Sequence, residues 1–334
     1  MNITNKTQDK YYEMHVYNPG RSDPSYNRAK RFLGHPIMHI AHTHVNTPLA
    51  SWTYDGSCYT LSPYGDSNLQ GYMNSLTRCD KSAIHNILVQ VSGLCKGLAA
   101  IHGVSEREAE DAAVIEPPGD TQPDGTQQQA LPATELRLWS CYYMNIKPEN
   151  ILVFKGTLKL SCLCCIKIEH WKYGDSPYQK QEPFTQKWNE PYQAPEALDR
   201  CYSLSSDIWS MGAVLLEVIV WLVLGLDGLA AFRKGRHGRV SSRSDPDERF
   251  FVLGAEDKPQ RREAVQDMLD RLDQQFRGPL KTLMSEVKKM LSPRKEDRPS
   301  AEEVARALSS LEEATEDDFD GYGWTTTLHT SSSS

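Results

Sequence analysis

Across residues 80–102 the apolar side chains fall at Ile84, Ile87, Leu88, Val91, Leu94, Leu98 and Ile101. Intervals of three and four put them on one face, which predicts a long amphipathic helix. Residues 211–232 are apolar almost throughout but are interrupted by Glu217 and Asp227. That pattern predicts a buried helix, not a membrane span. Residues 11–17, 39–46 and 57–61 are strand-like in composition, and a helical stretch over 25–33 stops at Gly34-His35-Pro36. Ser300 and Glu303 have the spacing of a capping box, so a last helix is expected to begin there.

Two segments lack any such pattern. Residues 103–137 are acidic and rich in Gln, Pro and Gly, as in Pro117-Pro118-Gly119-Asp120 and Gln127-Gln128-Gln129. This composition cannot bury a core and predicts a disordered insert, a translated intron being the alternative source. Residues 316–334 end in four serines and read as a disordered tail.

Composition narrows the function classes. A chain of 334 residues suits one large two-lobed domain or two small ones, and 39% hydrophobic with 24% charged residues is ordinary for a soluble protein. The net charge of −7 argues against nucleic acid or an anionic membrane as partner. A basic run from Arg233 to Arg243 opposes that balance and is expected to be a solvated loop, with a localisation signal or acidic-partner patch as the alternative. Residues 1–6 have no apolar core, so no secretory signal is expected. The eight cysteines lack framework spacing, which suggests free thiols in a reducing compartment, cytoplasm or nucleus.

The chemistry-bearing signal is Tyr143-Met144-Asn145-Ile146-Lys147-Pro148-Glu149-Asn150-Ile151-Leu152-Val153. It resembles the protein-kinase catalytic loop H-R-D-[IL]-K-P-E-N-[IL]-[LV]. Further similarities are Gln193-Ala194-Pro195-Glu196 to the A-P-E end of an activation segment, and Asp207-Ile208-Trp209-Ser210-Met211-Gly212 to the start of the central helix of the helical lobe. Asp297-Arg298-Pro299-Ser300 resembles the junction before the last kinase helix. Pro63-Tyr64-Gly65-Asp66-Ser67-Asn68-Leu69 is similar to the hinge of a fungal group of kinase-like proteins. The resemblance spans roughly residues 26–310 and is strongest over 145–222.

It implies an α+β, protein kinase-like two-lobed fold. The N-lobe sheet is expected to be truncated and the helical C-lobe nearly complete. Residues 1–65 would be the partial N-lobe and hinge, and residues 66–315 the C-lobe. It also assigns catalytic-loop positions to Asn145 and Lys147 and magnesium-nucleotide positions to Asn150 and Cys162. At Asn145 the family has the Asp that accepts the substrate proton, and an amide is no base at neutral pH. Cys162 replaces the Asp that binds magnesium, and a neutral thiol is a poor ligand for a hard cation. His15 falls where the family has a phosphate-binding Lys. No acid follows between residues 24 and 34 to pair with it, and no G-x-G-x-x-G loop precedes it.

Three retained residues are architectural in the family. Glu196 and Arg298 are expected to form a buried ion pair, and Asp207 to accept hydrogen bonds from the catalytic-loop backbone. Asn150 and Lys147 are expected to persist because they pack the loop, with a metal or phosphate contact as the alternative. Cys162, Cys164 and Cys165 are expected to be structural thiols, since one such cluster is a weak zinc signal. The implied function is a catalytically impaired pseudokinase that acts through protein partners and needs no cofactor. Tyr173, Ser176, Tyr178 and Thr185 would be candidate phosphoacceptors. The alternatives are a residual serine/threonine kinase using Mg-ATP, with Glu149 or Asp175 as substitute acid, and a decayed gene product.

Overall fold

Antiparallel sheets and a set of packed helices make up the computed structural model. It describes residues 2–5, 10–18, 26, 40–76, 80–103, 137–161, 167–172, 182–183, 190–199, 201–238 and 247–319. The fold is mixed α plus β. The largest sheet holds β1 (Asn2–Asn5), β2 (Lys10–Tyr17), β3 (Ala50–Tyr54) and β4 (Ser57–Pro63) in the order β1-β2-β4-β3. β2 pairs with β4 from Tyr12↔Pro63 to Tyr17↔Cys58. β1 is not marked by alternation, whereas β3 alternates as Ala50-Ser51-Trp52-Thr53-Tyr54 although it is largely exposed. What forms β3 is Asp55-Gly56, both at positive φ (45° and 72°), a two-residue turn whose twist matches a hairpin. Trp52 then stacks on its cross-strand neighbour Tyr59, with ring centroids 5.4 Å apart.

The strand expected over 39–46 does not form in the described part, residues 40–46. There the backbone makes one isolated parallel bridge, Val45 to Leu160. Side chains compete with the ladder locally: His42 Nδ1 accepts the His44 N–H at 3.1 Å, and Thr47 Oγ1 donates to the Ile40 carbonyl at 3.0 Å. The result is a strap that leads into β3. Of the helix expected over 25–33, only Tyr26 lies within the described residues, packed against Tyr17 and Cys58.

The helical part begins at the hinge-like segment. β5 (Ser67–Asn68) runs into α1 (Leu69–Ser75), capped by Asn68 Oδ1 on the Gly71 N–H at 2.8 Å. α2 spans Lys81–His102, as the apolar spacing predicts, with Asp80 as its N-cap. α3 (Leu204–Gly235) runs through the core, and every residue from Leu204 to Val223 is buried. It breaks at Gly225 (φ 69°, ψ −171°), a conformation that glycine alone adopts without strain. α4 (Glu263–Gln275), α5 (Gly278–Met290), α6 (Ala301–Ala307) and α7 (Ser310–Glu313) follow. The expected capping box is present at α6, where Ser300 Oγ accepts the Glu303 N–H at 3.2 Å. One apolar core joins these helices: Leu94 and Leu98 of α2, Trp209 and Leu216 of α3, Leu283 and Val287 of α5, and Val304 of α6 are buried together. α2 and α3 are long and apolar enough to cross a membrane, but 61% and 67% of their apolar windows are buried inside the protein.

Two expectations are corrected here. The basic run is not a solvated loop at its start: Arg233 and Lys234 lie in α3, and Arg236 is only 2% exposed. The break at Gly225 lets the last turns of the helix reach Glu217, whose carboxylate accepts from both Arg233 and Arg236. The tail begins later than residue 316, because Glu316–Phe319 forms a turn closed by Asp318 on the Thr315 N–H at 2.8 Å. Residues 104–136 of the insert lie outside the described residues.

Candidate functional site

The loop that carries Asn145, Lys147 and Asn150 lies between β6 (Arg137–Tyr142) and β7 (Ile151–Phe154). β7 turns at Lys155-Gly156 (φ 49° and 86°) into β8 (Thr157–Leu160). That hairpin is held to the hinge-like segment by Asp66: its N–H donates to the Val153 carbonyl, and its carboxylate accepts the Lys155 N–H at 2.6 Å. β6 pairs with β9 (Lys167–Lys172). The loop is thus fixed at both ends by short ladders.

Its middle is fixed by Asp207, in the first turn of α3 and fully buried. Oδ2 accepts the Tyr143 N–H at 2.7 Å and lies 3.0 Å from His102 Nε2. Oδ1 accepts the Met144 N–H at 2.7 Å and the Tyr202 hydroxyl at 2.8 Å. The hydrogen bonds expected from Asp207 to the loop backbone are therefore present. Burial, followed by the charge of Asp207, pushes Tyr202 well above the ordinary tyrosine range, so it remains a donor. The arrangement holds Met144 at φ 66°, a left-handed conformation that costs a non-glycine residue on the order of 1–3 kcal/mol.

Tyr143 and Met144, which the resemblance sets at its His and Arg positions, are buried. Tyr143 (0% exposed) and Ile146 (0%) enter the main core, while Met144 packs with Tyr142, Tyr202 and Leu204. Asn145 and Lys147 are half-buried. Asn150 closes the turn: its Nδ2 donates to the Asn145 carbonyl at 2.8 Å, its N–H to Lys147 O at 3.0 Å, and its carbonyl accepts the Ser161 N–H at 3.0 Å. Asn145, Lys147 and Asn150 are thus brought together. Cys162 lies outside the described residues, as do Cys164, Cys165, Tyr173, Asp175, Ser176, Tyr178 and Thr185.

Of the two magnesium positions that the resemblance assigns, Asn150 lies among the described residues and Cys162 outside them. Among the described residues no group of three His, Cys, Asp or Glu side chains converges on a metal-sized site. The side-chain oxygen of Asn150 is a single neutral donor, where a hard dication takes carboxylates. Glu149, the substitute acid considered in sequence, is exposed; its charge raises the titration of Tyr192, after the larger effects of burial and Glu217. His15 sits on β2, 3.3 Å from Glu13. That hydrogen bond is the main reason the Glu13 carboxyl is held below its ordinary value.

The pair expected between Glu196 and Arg298 is bidentate, with Nη1–Oε1 at 2.8 Å and Nη2–Oε2 at 2.9 Å. Ser206 Oγ donates to Glu196 at 2.7 Å, and Arg298 also reaches the carbonyls of Ser205 and Ser292. Burial pushes the Glu196 carboxyl up, but the Arg298 charge and the hydrogen bonds outweigh it and hold it below its ordinary value.

A second buried node is invisible as a sequence motif. Glu217, fully buried in α3, accepts from Arg233, from Arg236 at 2.6 Å and from the Tyr192 hydroxyl at 3.0 Å. The Arg236 guanidinium lies 3.9 Å from the centroid of Phe250. The available signal was Glu217 itself, a charge in an otherwise apolar run that demands a buried partner. Cys95 and Cys141 are buried, and burial pushes both thiols up to about 12, which leaves them unreactive at neutral pH. A scan against protein-family models finds no match to this chain.

Proposed function

We propose that this chain is a protein kinase-like scaffold, catalytically impaired, that works through contacts with protein partners. The observation that carries the reading is the Asp207 node. A buried carboxylate orders the backbone of residues 143–144 and so presents Asn145, Lys147 and Asn150 in a formed loop, yet the residue at the base position is an amide. The ion pair from Glu196 to Arg298 supports the same reading, because it joins two segments 102 residues apart at the positions the resemblance assigns.

The chemistry follows from the side chains. Asn145 can orient a hydroxyl but cannot take its proton. A general base alone contributes about 10²–10⁴ in rate. Restoring it leaves the metal position at Cys162 and the strand position at His15 unaltered, so little of the electrostatic stabilisation of phosphoryl transfer returns. The expected outcome is no phosphate incorporation above background by the wild type or by Asn145→Asp, with Mg-ATP and generic Ser/Thr substrates. Turnover by Asn145→Asp comparable to an ordinary kinase, about 1–100 per second, would show that the rest of the site is intact and would favour the residual-kinase reading.

A further inference from the structure

The strap over residues 40–48 is seated on α2 by two histidines. Gly93 and Gly97, one turn apart on α2, make room for it. A Cβ at Gly93 would come within 2.4 Å of three His44 ring atoms, and one at Gly97 within 3.0 Å of the His44 carbonyl. The same segment joins the sheet to the helical part. Val45, 2% exposed, enters the main core; the Asn46 N–H donates to Leu160 O at 2.8 Å, and the Leu160 N–H to His44 O at 2.9 Å. Asn46 Nδ2 donates to Pro63 O, at the end of β4, at 3.3 Å, and lies 3.4 Å from Ser161 Oγ.

We propose that this strap is a pH-sensitive clasp, closed when His42 and His44 are neutral and released when they are protonated. Hydrogen-bond direction carries the argument. His42 Nδ1 lies 3.1 Å from the His44 N–H and accepts from it, so it must be without a proton. An imidazolium has two donors and no acceptor, so protonating His42 turns this hydrogen bond into a donor–donor clash. His44 Nδ1 lies 2.8 Å from the Leu158 carbonyl and donates to it, which directs its unprotonated Nε2 at Gly93 on the helix. A proton there would sit between the strap and the α2 backbone.

The surrounding charges are mostly of the wrong sign for imidazolium. The two rings are 5.8 Å apart. Lys96 on α2 and Lys159 on β8 act against protonation of both, while the hydrogen bond to the Leu158 carbonyl and, less strongly, Glu312 on α7 favour protonation of His44. Glu312 is already engaged by Lys96 Nζ at 2.6 Å and Ser92 Oγ at 2.8 Å. Burial is the largest effect on both; for His42 it is followed by the charge of His44, for His44 it outweighs the Leu158 hydrogen bond, and both histidines are held below their ordinary value of 6.5. The unfolded chain therefore binds more protons than the folded one as the pH falls below 6.5. The clasp's contribution to stability is complete above that value and is lost as the pH drops through the lowered folded values.

The test is thermal unfolding of the full chain between pH 7.5 and 5.0, beside His42→Asn, whose side-chain oxygen can accept from the His44 N–H without titrating. The wild type is expected to lose several degrees of melting temperature over this range, and His42→Asn roughly half of that. Hydrogen exchange of the Asn46 and Leu160 amides in the wild type, corrected for intrinsic rates, gives a reading that does not depend on the variant folding. Their protection is expected to fall at least tenfold by pH 5.0, ahead of core amides in α3. Strap protection that changes no more than that of α3, or an acid slope unaltered in folded His42→Asn, would overturn the proposal.

Discussion

Asp207→Asn is expected to destabilise the protein by roughly 3–5 kcal/mol, because it leaves buried donors without acceptors. The carboxylate serves Tyr143 N, Met144 N, Tyr202 Oη and His102 Nε2, two groups on each oxygen. An asparagine retains one acceptor oxygen and turns its amide nitrogen toward two of these donors. Whichever way the amide is turned, one of the two loop N–H groups, Tyr143 or Met144, faces a donor in place of its acceptor. On a domain scale of about 5–15 kcal/mol this is a large fraction of total stability. Chemical denaturation of the variant measures it directly, and a cost below about 1 kcal/mol would mean that the four contacts are not the anchor they appear in geometry.

Arg298→Met is expected to cost about as much, roughly 3–5 kcal/mol, because it removes the guanidinium and leaves the Glu196 carboxylate buried without its partner. The double variant with Glu196→Gln is expected to recover part of the loss, since the uncompensated charge is gone. The sign of the pH effect is fixed by the depressed Glu196 carboxyl. Its contribution is present above the unfolded value of about 4.5 and is lost as the pH falls through the folded value. Arg298→Met should therefore show a weaker acid limb than the wild type below pH 4.5. That window is separate from the one set by His42 and His44, which opens at 6.5. An unchanged acid limb together with additive single effects would contradict a coupled pair.

What was legible in the sequence follows from the range of each interaction. α2 was readable to its ends because its apolar period and its Asp80 cap are local signals. The Glu196–Arg298 and Asp207 contacts span 102 and 63–64 residues and were accessible only through the motif resemblance, not through any local pattern. β3 was missed although Asp55-Gly56 signals a hairpin, because alternation alone is weak in a strand as exposed as Ala50–Tyr54. The strap was mistaken for a strand because residues 39–46 have strand composition, while His42 and Thr47 divert the backbone into local hydrogen bonds. The basic run misled through its charge: Arg236 is buried by Glu217 and Phe250, partners that the Gly225 break brings into reach. At the candidate site Asn145, Lys147 and Asn150 are legible from the motif alone, and the structure adds that the Asn150 amide closes the loop.

The most direct measurement of the central claim is the melting temperature of the purified full chain titrated with ATP, with and without magnesium. A ligand that binds only the folded state must stabilise it, by about 2.7 kcal/mol at one hundred times its dissociation constant. The proposed kinase-like scaffold without a working nucleotide site predicts a single cooperative transition that does not move with either addition. A magnesium-dependent rise that grows with ATP concentration would contradict it, and would show that a nucleotide site persists despite Asn145 and the single amide oxygen of Asn150.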